Sequence, residues 1–414
     1  MSRRSPDPEP SDRAPSDRAP SGRSPSDRSP SGRSLPPLYL AGFTTAFGAH
    51  GVAAVLGAES ADVGLSLLGL GAILALYDVA EVVFKPIFGS LSDRVGTKPV
   101  IVAGLLGFVV ASLLAVVHPT SLMFALARAG QGVAASAFSP AASSSVARIA
   151  GKKQMGRVFG RYGAWKSVGY VLGPLIGVAI AHWWSIAAVF GTMAVVAAGA
   201  AVWVILGMPA LPVMPRPRYT VADLVRQTTE RGFLVPTLIL ATSTGVLGVA
   251  VGFLPYLATQ LHLPTLVGPA AVGVLALASI LAQPRAGRAL DAGRLSARTG
   301  CTVGLTVLTG AVALLAAAPH AITLFVAAAA LGTAIGVVTP LAFSHLAAST
   351  PEERMGRTMG NAELGRELGD AGGPLLVGAV AAAATLPIGL GVLGAATALS
   401  AGVAWAGLPY GGRS

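Results

Sequence analysis

The chain writes one segment twice. Residues 155–178 read MGRVFGRYGAWKSVGYVLGPLIGV and residues 355–378 read MGRTMGNAELGRELGDAGGPLLVG, an offset of 355 − 155 = 200 with no gap. Met, Gly and Arg recur at the start, followed by Gly160/Gly360, Gly169/Gly369, Gly173/Gly373, Pro174/Pro374 and Leu175/Leu375. A chain of 414 residues that repeats itself at about half its length is expected to fold as two structurally equivalent halves.

Composition decides what surrounds those halves. The chain is 53% hydrophobic and 11% charged, with a mean hydropathy of +0.68; soluble domains carry roughly twice that charge. Twelve apolar runs reach the roughly 20 residues needed to cross hydrocarbon: 37–57, 65–88, 99–117, 121–147, 157–181, 184–207, 233–258, 266–284, 299–317, 321–347, 358–384 and 387–408. The fold class expected is therefore an all-α membrane protein, with twelve transmembrane helices in two pseudo-symmetric six-helix bundles. The bundles take residues 36–207 and 233–410, after a tail at 1–35 and around a linker at 208–232. The tail repeats Ser, Arg and Pro every five residues from position 11 and has nothing to bury, so it is expected to be disordered. In the linker, Val221, Leu224 and Val225 share a face against Arg226 and Glu230, which predicts a short amphipathic helix on the membrane surface.

Net charge is +11, and its placement separates membrane from nucleic acid as the partner. Connections on one side hold Glu59, Asp62, His118, His182, His262 and His320, with no Lys or Arg. Those on the other hold Arg94, Lys98, Arg148, Lys152, Lys153, Arg157, Arg216, Arg218, Arg226, Arg231, Arg285, Arg288, Arg294, Arg298, Arg354 and Arg357. The basic side is expected to be cytoplasmic, with both termini on it, in an inner or plasma membrane. Cys301 is the one cysteine, and the histidines are not spaced for a metal. Tyr39, Trp183, Trp184 and Trp405 are placed as interfacial anchors.

A second motif is also written twice. The link after the second span reads PIFGSLSDRVGTKP from Pro86 to Pro99, and that after the eighth reads PRAGRALDAGR from Pro284 to Arg294; Pro, Gly and Asp keep their spacing at 284 − 86 = 198. Gly89, Asp93, Arg94, Gly96 and Lys98, matched by Gly287 and Asp291, suit tight polar turns whose carboxylate meets a helix N-terminus. The stretch Gly89 to Pro99 resembles the signature loop of the major facilitator superfamily. LARAGQG at 126–132 is similar to its buried-arginine motif, with Arg128 as the arginine, and Gly160, Gly169, Gly173, Pro174 and Gly177 are similar to the fifth-span motif of its drug/proton antiporters, with Val178 in place of a last glycine. The resemblance implies that Asp93 locks one conformation by meeting the start of span eleven, near Thr358, and that Asp291 does the same near Val158. The family's acidic partner for the loop arginine is missing between Phe138 and Ala150. Gly169, Gly173 and Gly177 form one stripe, as Gly369 and Gly373 do; such stripes let helices approach closely, and Pro174 and Pro374 allow bending.

Ionisable groups inside spans mark function, because each costs several kcal/mol unless paired or hydrated. In span two, Asp78, Glu81 and Lys85 lie within about 60° of one another at about 100° per residue, with Tyr77 adjacent. Glu81 and Lys85 are spaced for an ion pair, which leaves Asp78 as the better proton carrier. In span eleven, Glu363, Arg366, Glu367 and Asp370 share a face from which Gly365 and Gly369 point away. Three carboxylates against one arginine cannot all be ionised cheaply, so at least one should exchange a proton near neutral pH; Glu363 is either part of that set or solvated near the surface. Arg128 is read as a fixed counter-charge to a carboxylate or an anionic substrate, Lys166 as part of the same substrate- and proton-coupling charge set or a brace near the glycine stripe, His50 as a satisfied core histidine, and the serines 136, 139, 143, 144 and 145 as bonded to backbone.

These readings converge on a monomeric, proton-driven secondary transporter with no cofactor or metal and no enzymatic activity. Its partners are protons, lipid and a small molecule, and drug or metabolite efflux by antiport is the leading expectation. Import of a sugar, organic acid or other nutrient by symport is the alternative, and a membrane sensor or assembly partner without flux stands third. No phosphate-binding loop or nucleophile elbow is present to support an ATP-driven pump or a membrane enzyme.

Overall fold

The computed structural model describes residues 34–58, 67–151, 153–213, 229–264 and 266–409. The tail repeat before Ser34, the connection with Glu59 and Asp62, and most of the linker, including the amphipathic helix expected there, lie outside them. The described residues form twelve long helices and no strand: α1 (Pro36–Ala58), α2 (Leu67–Val95), α3 (Thr97–Val117), α4 (Ser121–Ala150), α5 (Met155–Trp183), α6 (Ile186–Gly207), α7 (Arg231–Gln260), α8 (Val267–Asp291), α9 (Ala297–Ala317), α10 (Ala321–Ser349), α11 (Met355–Ala383) and α12 (Leu386–Gly407).

Local signals repeat with the halves. Thr120 caps α4 and His320 caps α10; Ser185 caps α6 and Thr385 caps α12. Prolines sit inside α2 and α8 (Pro86, Pro284), α4 and α10 (Pro140, Pro340), and α5 and α11 (Pro174, Pro374). Eight of the helices are long and apolar enough to cross a membrane by themselves. α11 is not among them, and it carries Glu363, Arg366, Glu367 and Asp370. Such a helix is stable in a bilayer only when those groups are satisfied inside the protein or by water.

The packing is duplicated too. α1 lies on α5 and α7 on α11; α3 on α4 and α9 on α10; α3 on α6 and α9 on α12. The glycine stripes explain the first of these pairs. A Cβ on Gly169 would stand 2.7 Å from the Phe43 carbonyl oxygen, and one on Gly173 2.8 Å from that of Phe47. Gly369 and Gly373 press in the same way on the backbone of Ala241 and Gly245. In the first half Phe108 meets Phe138 edge-on and Phe124 stacks on Phe190; between the halves Phe159 stacks on Phe343 with centroids 5.6 Å apart.

Two expectations change here. The second link is not a loop from Pro86: α2 runs on to Val95, so Asp93 stands in its last turn, and α8 likewise runs to Asp291. Packing on the other half holds these polar turns helical, since Gly89 lies against Gly356 and Gly287 against Gly156. The turn contracts to Gly96, whose φ of 94° favours glycine. Tyr39 is not an interfacial anchor: it is 6% exposed, with its ring beside that of Tyr162. Trp183 and Trp184 are 70% and 73% exposed at the opposite end from Asp93.

Candidate functional site

Two aspartates close one end of the molecule. Asp93 accepts the backbone N–H groups of Gly356 (2.8 Å) and Arg357 (2.9 Å) at the start of α11. Asp291 accepts those of Gly156 (2.8 Å) and Arg157 (2.6 Å) at the start of α5. The first turn of a helix has N–H groups without partners and a positive dipole end, so a carboxylate satisfies both at once. The contacts fall one or two residues before the expected Thr358 and Val158. Arg94 is exposed, and Lys98 turns back within its own half, donating to the carbonyls of Ile205 (2.8 Å) and Met208 (2.6 Å) at the end of α6.

Eight residues deeper, about 12 Å along the helix, the two seams differ. In the α2/α11 seam the Lys85 ammonium stands 3.0 Å from Glu81 Oε2 and 2.8 Å from Glu367 Oε1, so it ties both halves together. Lys85 is 1% exposed, Glu81 3% and Glu367 23%. Tyr77 donates a longer bond, 3.4 Å, to Glu81. In the α5/α8 seam the equivalent of Lys85 is Gln283, at 283 − 85 = 198, the same offset as Asp93 to Asp291. Its amide donates to Ser167 Oγ at 2.7 Å and Ser279 Oγ at 3.1 Å. Ser167 stands where the other seam has Glu367, and Gly163, where the other has Glu363, makes room for the Gln283 side chain.

Glu363 is enclosed. It accepts bonds from Ser139, at 2.5 Å, and from Ser143, and it is 1% exposed, so the solvated reading does not hold. Ser139 and Ser143 thus serve a carboxylate, whereas Ser136 and Ser145 bond backbone as expected. Lys166 is buried with its ammonium 5.8 Å from the Tyr162 ring, and its field reaches Glu363. Farther from the latches, Asp78 is exposed, Asp370 is half-buried, and each lies in the field of the other's half. Arg128 is 2% exposed and lies 4.2 Å over the Tyr77 ring. Arg366 reaches the Tyr170 hydroxyl at 3.4 Å, and Tyr170 packs edge-on against His50, centroids 4.4 Å apart. Past Tyr170, no hydrogen bond or ion pair joins the halves among the described residues, and α1 has no packing contact with α7 like the α2/α11 and α5/α8 seams.

A model of the Major Facilitator Superfamily matches residues 38–374 and, in an overlapping second match, 237–413. The chain belongs to this superfamily. It is 35% identical to the class H tetracycline resistance protein of Pasteurella multocida over 107 residues, 26% of each chain. It is 30% identical to the quinolone resistance protein NorA of Staphylococcus aureus over 140 residues, 34% of this chain and 36% of the relative. The chain therefore matches between about a quarter and a little more than a third of the length of these curated relatives. Among solved structures it is similar to the E. coli fucose:proton symporter, with a TM-score of 0.75, 13% identity and coverage of 90% of this chain and 98% of that one. The two-bundle fold is that of superfamily transporters, which are not enzymes, and the protein is a multi-pass membrane protein.

Within that frame the structure gathers the charged residues of α2, α4, α5 and α11 into one inter-half region, directly behind the two latches. Sequence missed five residues here: Gln283, Ser167 and Tyr170 as participants, and Ser139 and Ser143 as carboxylate-binding groups. The 198-residue offset would have found Gln283, since it falls opposite Lys85 in the duplicated motif.

Proposed function

We propose that this protein is a proton-coupled secondary transporter, working by alternating access, that expels a small amphipathic molecule in exchange for protons. The observation that carries the reading is the Lys85 ammonium held between Glu81 of its own helix and Glu367 of the other half. A charge-assisted contact across the moving seam couples its opening to protonation. A proton on Glu367 removes the attraction to Lys85, and a proton on Asp78 or Asp370 weakens the field that holds Arg128 and Arg366 in place. The end closed by Asp93 and Asp291 carries the basic connections, so it is assigned to the cytoplasm, together with both termini, in an inner or plasma membrane. Glycine-on-backbone contacts of α1 with α5 and of α7 with α11 give each half a rigid body to rock. The resistance proteins among its relatives favour efflux.

Proton symport of a nutrient is the second reading, favoured by the buried guanidinium groups of Arg128 and Arg366, which keep N–H donors without an acceptor among the described residues. Vesicles with an imposed pH gradient separate the two. Antiport drives tetracycline or a quinolone against the proton flow, and symport drives fucose or an organic acid with it. If neutralising Asp78, Glu81, Glu367 and Asp370 one at a time never alters the pH dependence of flux, the coupling mechanism is wrong.

A further inference from the structure

Arg128 is the least satisfied charge in the molecule's centre. Its side chain is buried, yet among the described residues nothing accepts a hydrogen bond from its Nε or Nη1. Its contact is the face of Tyr77, at 4.2 Å. The fields of Asp78 and Glu81 reach it, but neither makes an ion pair with it, and Glu81 is engaged by Lys85 and Tyr77. Burying a guanidinium without acceptors costs several kcal/mol. That cost is tolerated where the group serves a ligand.

Arg366 repeats the pattern from the other half. It is 7% exposed, and among the described residues its Nε has no partner and its one hydrogen bond is the long contact to Tyr170. The two arginines belong to one network: Tyr77 beneath Arg128 donates to Glu81, Lys85 ties Glu81 to Glu367, and Glu367 neighbours Arg366, which reaches Tyr170 beside His50. Guanidinium forks match the geometry of a carboxylate or another planar oxyanion, and aromatic faces beside them fit a flat body.

We propose that the cleft recognises a substrate bearing a planar acidic group, gripped by Arg128 of one half and Arg366 of the other; this rests on the transport reading above. Such a ligand contacts both halves at once, which makes the acid a handle for closure and sets the specificity for acids over their uncharged analogues.

The test is a thermal-shift titration of the purified full-length protein with benzoate and, in parallel, with benzamide, which keeps the ring and loses the charge. Benzoate is expected to raise the melting temperature with concentration and benzamide not to. Arg128→Gln and Arg366→Gln are each expected to weaken the benzoate response about tenfold, with Arg128→Lys and Arg366→Lys retaining part of it. The unliganded melting transition of each variant reports whether it folds, and the Lys variants carry the test if a Gln variant does not. Equal responses to the two probes, no benzoate response up to its solubility limit, or an undiminished response in the Gln variants overturns the proposal. Vesicle flux keeps the two readings apart: proton-driven flux without benzoate binding sinks the acid site alone, and benzoate binding without flux sinks the transport reading alone.

Discussion

The α2/α11 and α5/α8 seams are the same device built twice, with different chemistry behind the lock. Both end in an aspartate that accepts two N–H groups from the first turn of the opposing helix, and both bring a glycine of one half onto the backbone of the other. Behind the lock, α2/α11 places Lys85 between two carboxylates, whereas α5/α8 places the uncharged Gln283 against Ser167. The outer lock is symmetric and the inner lock is not. Behind the outer locks, the ionised contact is thereby confined to one seam, and the other is held there by uncharged groups.

The harshest way to break this comparison is to empty the charged position. Lys85→Ala leaves Glu81 and Glu367 uncompensated and is expected to destabilise the closed form by about 3–5 kcal/mol, read as a loss of thermal stability in detergent far greater than for Gln283→Ala. Next come the aspartates. Asp93→Asn and Asp291→Asn should each cost about 1.5–3 kcal/mol, and cysteine cross-linking across each seam should show the two losses to be similar; a large inequality would mean that the outer locks are not equivalent. A subtler change converts one seam into the other. The triple variant Glu81→Ser, Lys85→Gln, Glu367→Ser should still close, but the fall of α2/α11 cross-linking as pH is lowered should shrink in it to the part contributed by Asp93. Cross-linking of α5/α8, where Asp291 is the ionised contact, should fall less with pH than that of α2/α11 in the unaltered chain, and equally in both proteins. The smallest effect belongs to Gln283→Ala, about 1 kcal/mol, with the pH dependence of flux unchanged.

Much of this was legible before any coordinates. The two repeats, at offsets of 200 and 198, gave two equivalent halves, the apolar runs gave six spans in each, and the resemblance to the superfamily implied both latches to within two residues. The Glu81–Lys85 pair followed from i,i+4 spacing alone. The third member, Glu367, did not, because it lies on a helix 282 residues away and only docking of the halves brings it to Lys85. Glu363 stayed open for the same reason: its place near a helix end allowed solvent as well as the charged set, and only the fold shows that α4 covers it and offers Ser139 and Ser143. The serines looked backbone-bonded because a helix always offers them an i−4 carbonyl, and Ser143 does also reach that of Ser139.

The sequence by itself therefore determined the class of fold, the number and register of the helices, and which residues are too polar to face lipid. These depend on local periodicity and on the cost of charge in hydrocarbon, both of which are carried by adjacent residues. The tertiary structure alone decided which charges pair and which stay unpaired. Lys85 goes to Glu367, Glu363 goes to serines, and Arg128 and Arg366 keep donors unpaired among the described residues, because pairing over a few ångströms is set by how the two halves meet.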